Sequence, residues 1–163
     1  MKLETLRDLY VEQLHDLYSA ETQIVEALPK MVKAASNTQL QSAFQDHLSQ
    51  TKEHVTRLET IFKQLGEKPK GEKCKGMEGL LKEGEEMIKM KGDPAAIDAG
   101  LIAAAQRVEH YEIAGYGCVR TYAQLLGEQQ GMTMLQKTLD EEGQADKKLT
   151  SLAENVINLE AER

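Results

Sequence analysis

Several acids in this chain fall on positions that helical periodicity reserves for the core. Glu21 lies four residues after Leu17 and three before Ile24, Glu112 lies four after Val108 and four before Tyr116, and Glu109 sits one turn earlier on the adjoining edge. Glu142 follows Leu139 by three, and Asp146 lies four further on, three before Leu149. In the remaining apolar stripe the gaps hold His47, Gln50, Thr51 and His54, the last of them four before Leu58. A buried carboxylate without compensation is destabilising or takes up a proton, so five in one small core call for cations. Lys52, Arg57, Arg107, Lys147 and Lys148 lie on or toward the polar faces. The expected compensation is therefore a pair of divalent metal ions. Oxygen ligands with few imidazoles suit iron or manganese, and helical bundles hold such ions with Glu from facing helices.

The spacing repeats. Glu21 to Gln50 is 29 residues and Glu112 to Glu142 is 30, and each second member is followed four later by another ligand type, His54 or Asp146. Positions i and i+4 share a helix face, so each half offers one ligand plus a helical pair. The candidate metal ligands are thus Glu21, Gln50, His54, Glu109, Glu112, Glu142 and Asp146. Taken singly, each has a plainer reading: a Glu that reaches water along its aliphatic stem, a hydrogen-bonded helix-face histidine, or an Asp paired with a lysine one turn away. His15, His47 and His110 are read in that plainer way. The coincidence of acids on three stripes, a histidine on the fourth and matched spacing is what carries the metal reading.

Long helices must position these residues. An apolar stripe running Leu3, Leu6, Tyr10, Leu14, Leu17, Ile24, Leu28, Met31 predicts a first helix over about 3–34, kinked or ended near Pro29. Ser36, Asn37 and Thr38 offer caps for a second over 38–65, which Gly66 stops. Residues 66–93, with four glycines before Leu80, form a crossover containing a short helix. Asp93-Pro94 opens a third long helix over 94–126, and a fourth follows over about 131–160. The two tight connections make antiparallel hairpins, and the crossover is long enough to travel the length of a bundle. The fold expected is all-α: one four-helix-bundle domain made of two hairpins joined by a long crossover.

Composition agrees and excludes other classes. With 163 residues, 4% aromatic content and 3 Pro, the profile is that of a nearly all-helical single domain. A formal charge of −7 argues against nucleic acid as a partner. The longest apolar run, Ala99 to Ala105, is far short of the roughly 20 residues that span a bilayer. Two cysteines without ligand spacing read as a reduced, cytoplasmic protein. Neither a nucleophile constellation nor a phosphate loop is present.

The stretches 16–31, 43–59, 72–84, 99–117 and 138–156, most specifically the run Arg107–Ala114, resemble the YciF-like family of bacterial stress-associated, ferritin-like proteins. The resemblance spans essentially the whole chain. It implies a ferritin-like four-helix fold, a homodimer and a di-iron site, but no particular reaction. Position by position, Glu21, Glu109, Glu112, Glu142 and Asp146 match the family's inward acids. Gln50 stands where relatives often carry Glu, so His54 or the adjacent Glu53 is expected to substitute, and the ExxH pair of the wider ferritin group is absent because Ala145 follows Glu142 at i+3. The cofactor expected is two iron or manganese ions, with manganese or partial occupancy favoured by the shortage of imidazole. Leu9, Tyr122, Leu125 and Met134 lie off the core stripes and are expected at a dimer face. Two functions compete: an iron oxidase that consumes oxygen or peroxide, and a non-enzymatic stress protein that binds metal or a partner.

Overall fold

The computed structural model of the chain describes residues 2–163. Helix α1 (Leu6–Ala34) opens on a reciprocal cap, in which Thr5 Oγ1 accepts the Asp8 backbone N–H and the Asp8 carboxylate accepts that of Thr5. Its first turn therefore starts at Leu6 rather than Leu3, which is 55% exposed. Pro29 does not end it. The proline is on the exposed face, where water can take the carbonyl its ring leaves unpartnered. Helix α2 (Thr38–Leu65) is capped by Asn37, whose side chain accepts from Gln39 and Leu40, while Gln41 reaches back to the Ala35 carbonyl. It ends where Gly66 takes a φ of 71°, a left-handed conformation that costs glycine little.

The crossover contains helix α3 (Lys75–Lys89). Helix α4 (Pro94–Leu125) starts on the Asp93 cap, and α5 (Gln129–Leu152) runs through a π-helical turn, Ala153–Ile157, into α6 (Asn158–Ala161). Helix α1 packs against α2 and α4, and α5 closes the square by packing against the same two helices. Ligating contacts fix the directions. The α1–α2 turn donates the backbone N–H groups of Ser36 and Asn37 to Asp98, a buried carboxylate in the first turns of α4, at 2.9 and 2.7 Å. At the far end Arg7 of α1 faces Glu128 of the α4–α5 turn. The start of α4 thus lies beside the end of α1, so the crossover has to climb the bundle, and it does so along α1. His15 meets the Lys68 carbonyl, Ser19 and Gln23 bind the Cys74 backbone, and Lys30 pairs with Glu85.

The apolar core is two clusters rather than one. Ile24, Leu28, Leu40, Phe44, Leu101 and Leu149 belong to the cluster near the α1–α2 turn, and Tyr10, Leu14, Leu58, Phe62, Val119 and Leu135 to the other. The polar layer described below divides them. Beside that layer α4 approaches α1 closely at Gly115, where a β-carbon would come within 2.8 Å of Leu17 Cδ2. Among the described residues no helix is long and apolar enough to cross a membrane.

Candidate metal centre

All four long helices contribute to one buried layer. Helix α1 supplies Glu21, α2 supplies His47, Thr51 and His54, α4 supplies Glu109 and Glu112, and α5 supplies Glu142; Glu21, His54, Glu112 and Glu142 are each 0% exposed. Two groups of ligand atoms form within it, each with its atoms within 4.8 Å of one another. Glu21, His54 and Glu142 make one; His47, Glu109, Glu112 and Glu142 make the other. Glu142 belongs to both, as a bridging carboxylate must.

Distances inside the layer are those of hydrogen bonds, but the alignment is not. His54 Nδ1 lies 2.8 Å from Glu142 Oε1 and 3.2 Å from Glu21 Oε1, and His47 Nε2 lies 3.0 Å from Glu109 Oε1. Nevertheless both nitrogens are buried without an aligned partner, as are one oxygen of Glu21, one of Glu109 and both oxygens of Glu112 and Glu142. Buried polar atoms are nearly always satisfied, and a half-satisfied network is worse than none. Lone pairs that converge on shared points and ignore one another suit a cation at those points. Charge agrees: four carboxylates, Glu21, Glu109, Glu112 and Glu142, balance two divalent ions with the imidazoles neutral.

The electrostatics record the strain of the layer without compensation. Burial, reinforced by the charges of Glu142, Glu21 and Glu109, holds Glu112 well above the ordinary carboxylate range, and burial together with Glu109 does the same to Glu142. Burial raises Glu109 to about 7. At His54 burial opposes the charge, but the adjacent Glu142 and Glu21 prevail and lift the imidazole to about 10. Tyr116, itself fully buried, donates to Glu21 Oε1 at 2.5 Å and fixes that carboxylate from the side of the second apolar cluster.

A supporting shell stands behind His54. Its Nε2 lies 2.9 Å from Glu141 Oε2, and Arg57 grips the same carboxylate through both terminal nitrogens while also donating to Thr138. Burial would raise Glu141, but Arg57 and His54 hold it below its usual range. The imidazole is thereby turned with Nδ1 toward the layer, the carboxylate–histidine arrangement common behind metal ligands.

Of the expected ligands, the structure brings Glu21, His54, Glu109, Glu112 and Glu142 together and leaves two outside both groups. Asp146 accepts from Gln106 at 3.0 Å and faces His110 at 3.3 Å. Four residues on a helix add about 6 Å of rise and a 40° turn, enough to carry it from the layer to the α4 flank. Gln50 is half-buried and lines a cavity next to His47. Glu53, the other substitute, is exposed and pairs with Arg57. Sequence reasoning missed His47, although its seven-residue separation from His54 returns it to the same face after two turns. It also placed Arg57 on a polar face, and passed over Glu141 because both lie one position off a stripe. Tyr18, three residues before Glu21, points away from the layer and donates to Glu59.

An up-down-down-up bundle with one long crossover and a buried carboxylate–histidine layer fed by all four long helices is the ferritin-like fold. The chain belongs to the YciF-like family: residues 5–162 match the family described as a domain of unknown function, DUF892. It is 43% identical to Protein YciF of Escherichia coli strain K12 over 163 residues, 99% of this chain and 98% of that one. The crystal structure of the E. coli stress protein YciF superposes with a TM-score of 0.92 over 96% of this chain and 99% of that chain. A ferritin-like diiron-carboxylate protein from Bacillus anthracis, 16% identical, matches at 0.68 over 93% and 99%. The latter likeness is one of fold.

Proposed function

We propose that this chain is a stress-associated, cytoplasmic ferritin-like protein whose central layer binds two divalent ions, iron or manganese, and that with ferrous iron it acts as an oxidase. The observation that carries the reading is Glu112: both of its oxygens are buried, unpartnered and within reach of Glu142, which the two ligand groups share. Glu21, His54 and Glu142 would hold one ion, and His47, Glu109, Glu112 and Glu142 the other. Ferrous ions held there would supply the electrons that reduce dioxygen or peroxide, and the hard anionic oxygens of these carboxylates would favour the ferric product. The residues' own work is to bind and to orient. Glu141 and Arg57 aim His54, Tyr116 steadies Glu21, and the two apolar clusters keep bulk water from the layer.

The test is addition of ferrous iron to metal-free protein in air, following ferric absorbance and the number of ions retained. Two ions per chain, with oxidation faster than in buffer and abolished in Glu112→Ala, is the expected result. A second reading is favoured by the complete burial of Glu21, His54 and Glu142: a non-enzymatic protein that simply retains its metal. Two ions bound, with iron oxidised no faster than in buffer, would select it.

A further inference from the structure

The layer is not equally accessible on its two sides. Between α2, α4 and α5 lies a cavity of about 310 Å³ that ends on His47 and Glu109, with Asp46, Gln50, Gln144 and Lys148 on its polar side and apolar residues such as Phe44 and Leu149 on the other. His47 is 7% exposed and Glu109 2%, and each directs a partnerless polar atom into the layer. Glu21 and His54, by contrast, do not line this cavity. A second cavity touching His47 and Glu109, beneath α3, is only about 40 Å³ and is walled by Ile24, Leu28, Met31, Ile88 and Val108, surroundings that would strip a cation of water without replacing it. Asp46 and Lys148 reach across the larger cavity from α2 and α5 and pair at 3.0 Å.

Resting on the dimetal reading above, we propose that this larger cavity is the binding vestibule through which a hydrated divalent cation reaches the His47–Glu109–Glu112–Glu142 position, with Asp46–Lys148 as the ion pair across its mouth. The cavity is several times the roughly 30 Å³ of one water, so a cation can arrive hydrated and exchange its waters for carboxamide, imidazole and carboxylate in turn. The Glu21–His54–Glu142 position borders neither of these cavities. It is filled second, by transfer across the shared Glu142, and emptied last. The two positions thus differ in kind: one exchanges with solution and the other is resident.

Cobalt(II) alone, mixed rapidly with metal-free protein and followed by its visible absorption, tests this. Wild type should take up two ions in a fast and a slow phase, and Glu21→Gln should keep the fast phase and lose the slow one. Asp46→Lys should slow the fast phase and Lys148→Glu should speed it, each about tenfold at low salt, with the difference shrinking at high salt and two ions bound at equilibrium in both. Ala145→Phe, which fills the cavity, should slow uptake further. Because Asp46 and Lys148 are exposed, those variants decide the matter even where Ala145→Phe fails to fold. Unchanged rates in both charge variants, with two ions still bound, would overturn the vestibule and leave the metal centre standing. Failure of wild type to bind cobalt would overturn both.

Discussion

Metal-free protein should lose stability as pH rises from 5.5 to 8.5, the reverse of the common behaviour of carboxylate-stabilised folds. Glu109 shows why. Its folded value of about 7 exceeds the ordinary 4.5 because burial penalises the charged form, so the folded state holds a proton that the unfolded chain has released. The stabilisation is full below 4.5 and is lost as pH climbs through 7. The difference of about 2.5 units corresponds to roughly 3 kcal/mol, and for a chain of this size about 2–4 °C of melting temperature accompanies each kcal/mol. About 1.5 of those units, roughly 2 kcal/mol, lie inside the window, so a fall of about 4–8 °C is expected from this residue. His54 adds in the same direction: raised from 6.5 to about 10, it contributes stability that is full below 6.5 and is lost as pH rises through 10. Asp8, Glu78, Glu85 and Glu141 have depressed values, so their contributions are lost only as pH falls below the carboxylate range and impose no slope in this window. The assay is thermal unfolding of chelator-stripped protein, followed by circular dichroism, at intervals of pH. Glu109→Gln should remove this residue's share of the slope and leave that of His54, and saturating manganese should reverse the slope of wild type, since the ion binds the ionised carboxylates. A melting temperature of metal-free wild type that stays level or rises over this window would refute the electrostatic account of the layer.

Three further outcomes follow from the geometry. Glu142→Gln removes a ligand from both groups, so it should abolish the manganese-induced rise in melting temperature, about 5–11 °C for one site at one hundred times its dissociation constant, whereas Glu21→Gln should remove only part of it. Glu141→Gln takes the charged partner from His54 Nε2 and from Arg57, and should weaken manganese binding about 10–100-fold by titration calorimetry while every layer ligand stays in place. Leu125 is 70% exposed next to half-buried Tyr122, and a homodimer using this face should run in analytical ultracentrifugation at twice the chain mass and dissociate toward monomer in Leu125→Lys.

The fold was legible because its punctuation is chemical and local. Asp93 before Pro94, and Gly66 and Gly127 with left-handed φ values of 71° and 75°, each satisfy or release backbone groups in a way few other residues can, so helix ends could be placed from them. The signals that misled are ones whose effect depends on surroundings. Pro29 breaks a helix only if the carbonyl it orphans has no water, and here that face is open to solvent. Of the three cap candidates Ser36, Asn37 and Thr38, it is Asn37 that caps α2, while Gln41 reaches the Ala35 carbonyl across the tight turn.

For the site, periodicity tells which way a side chain points but not the level at which it points, and the two outliers are failures of level. In an antiparallel hairpin, residues equally far from the turn lie side by side. Counting from Gly127, Glu112 is 15 before and Glu142 15 after, and they share a ligand group. Asp146 reflects onto Val108, between Gln106 and His110, the two side chains it meets. Counting from Ser36, Glu21 reflects onto Thr51, with His54 three residues beyond and His47 four short of it, roughly 5–6 Å to either side at 1.5 Å per residue. The two histidines therefore bracket the level of Glu21, one in each ligand group, and that bracketing makes His47 rather than Gln50 the side chain that α2 brings to the second group. What reflection cannot supply is the pairing of one hairpin with the other. That depends on how the crossover is tied along α1 at Ser19 and Gln23 and on Asp98 clamping the α1–α2 turn to α4, long-range contacts with no local signature in the sequence.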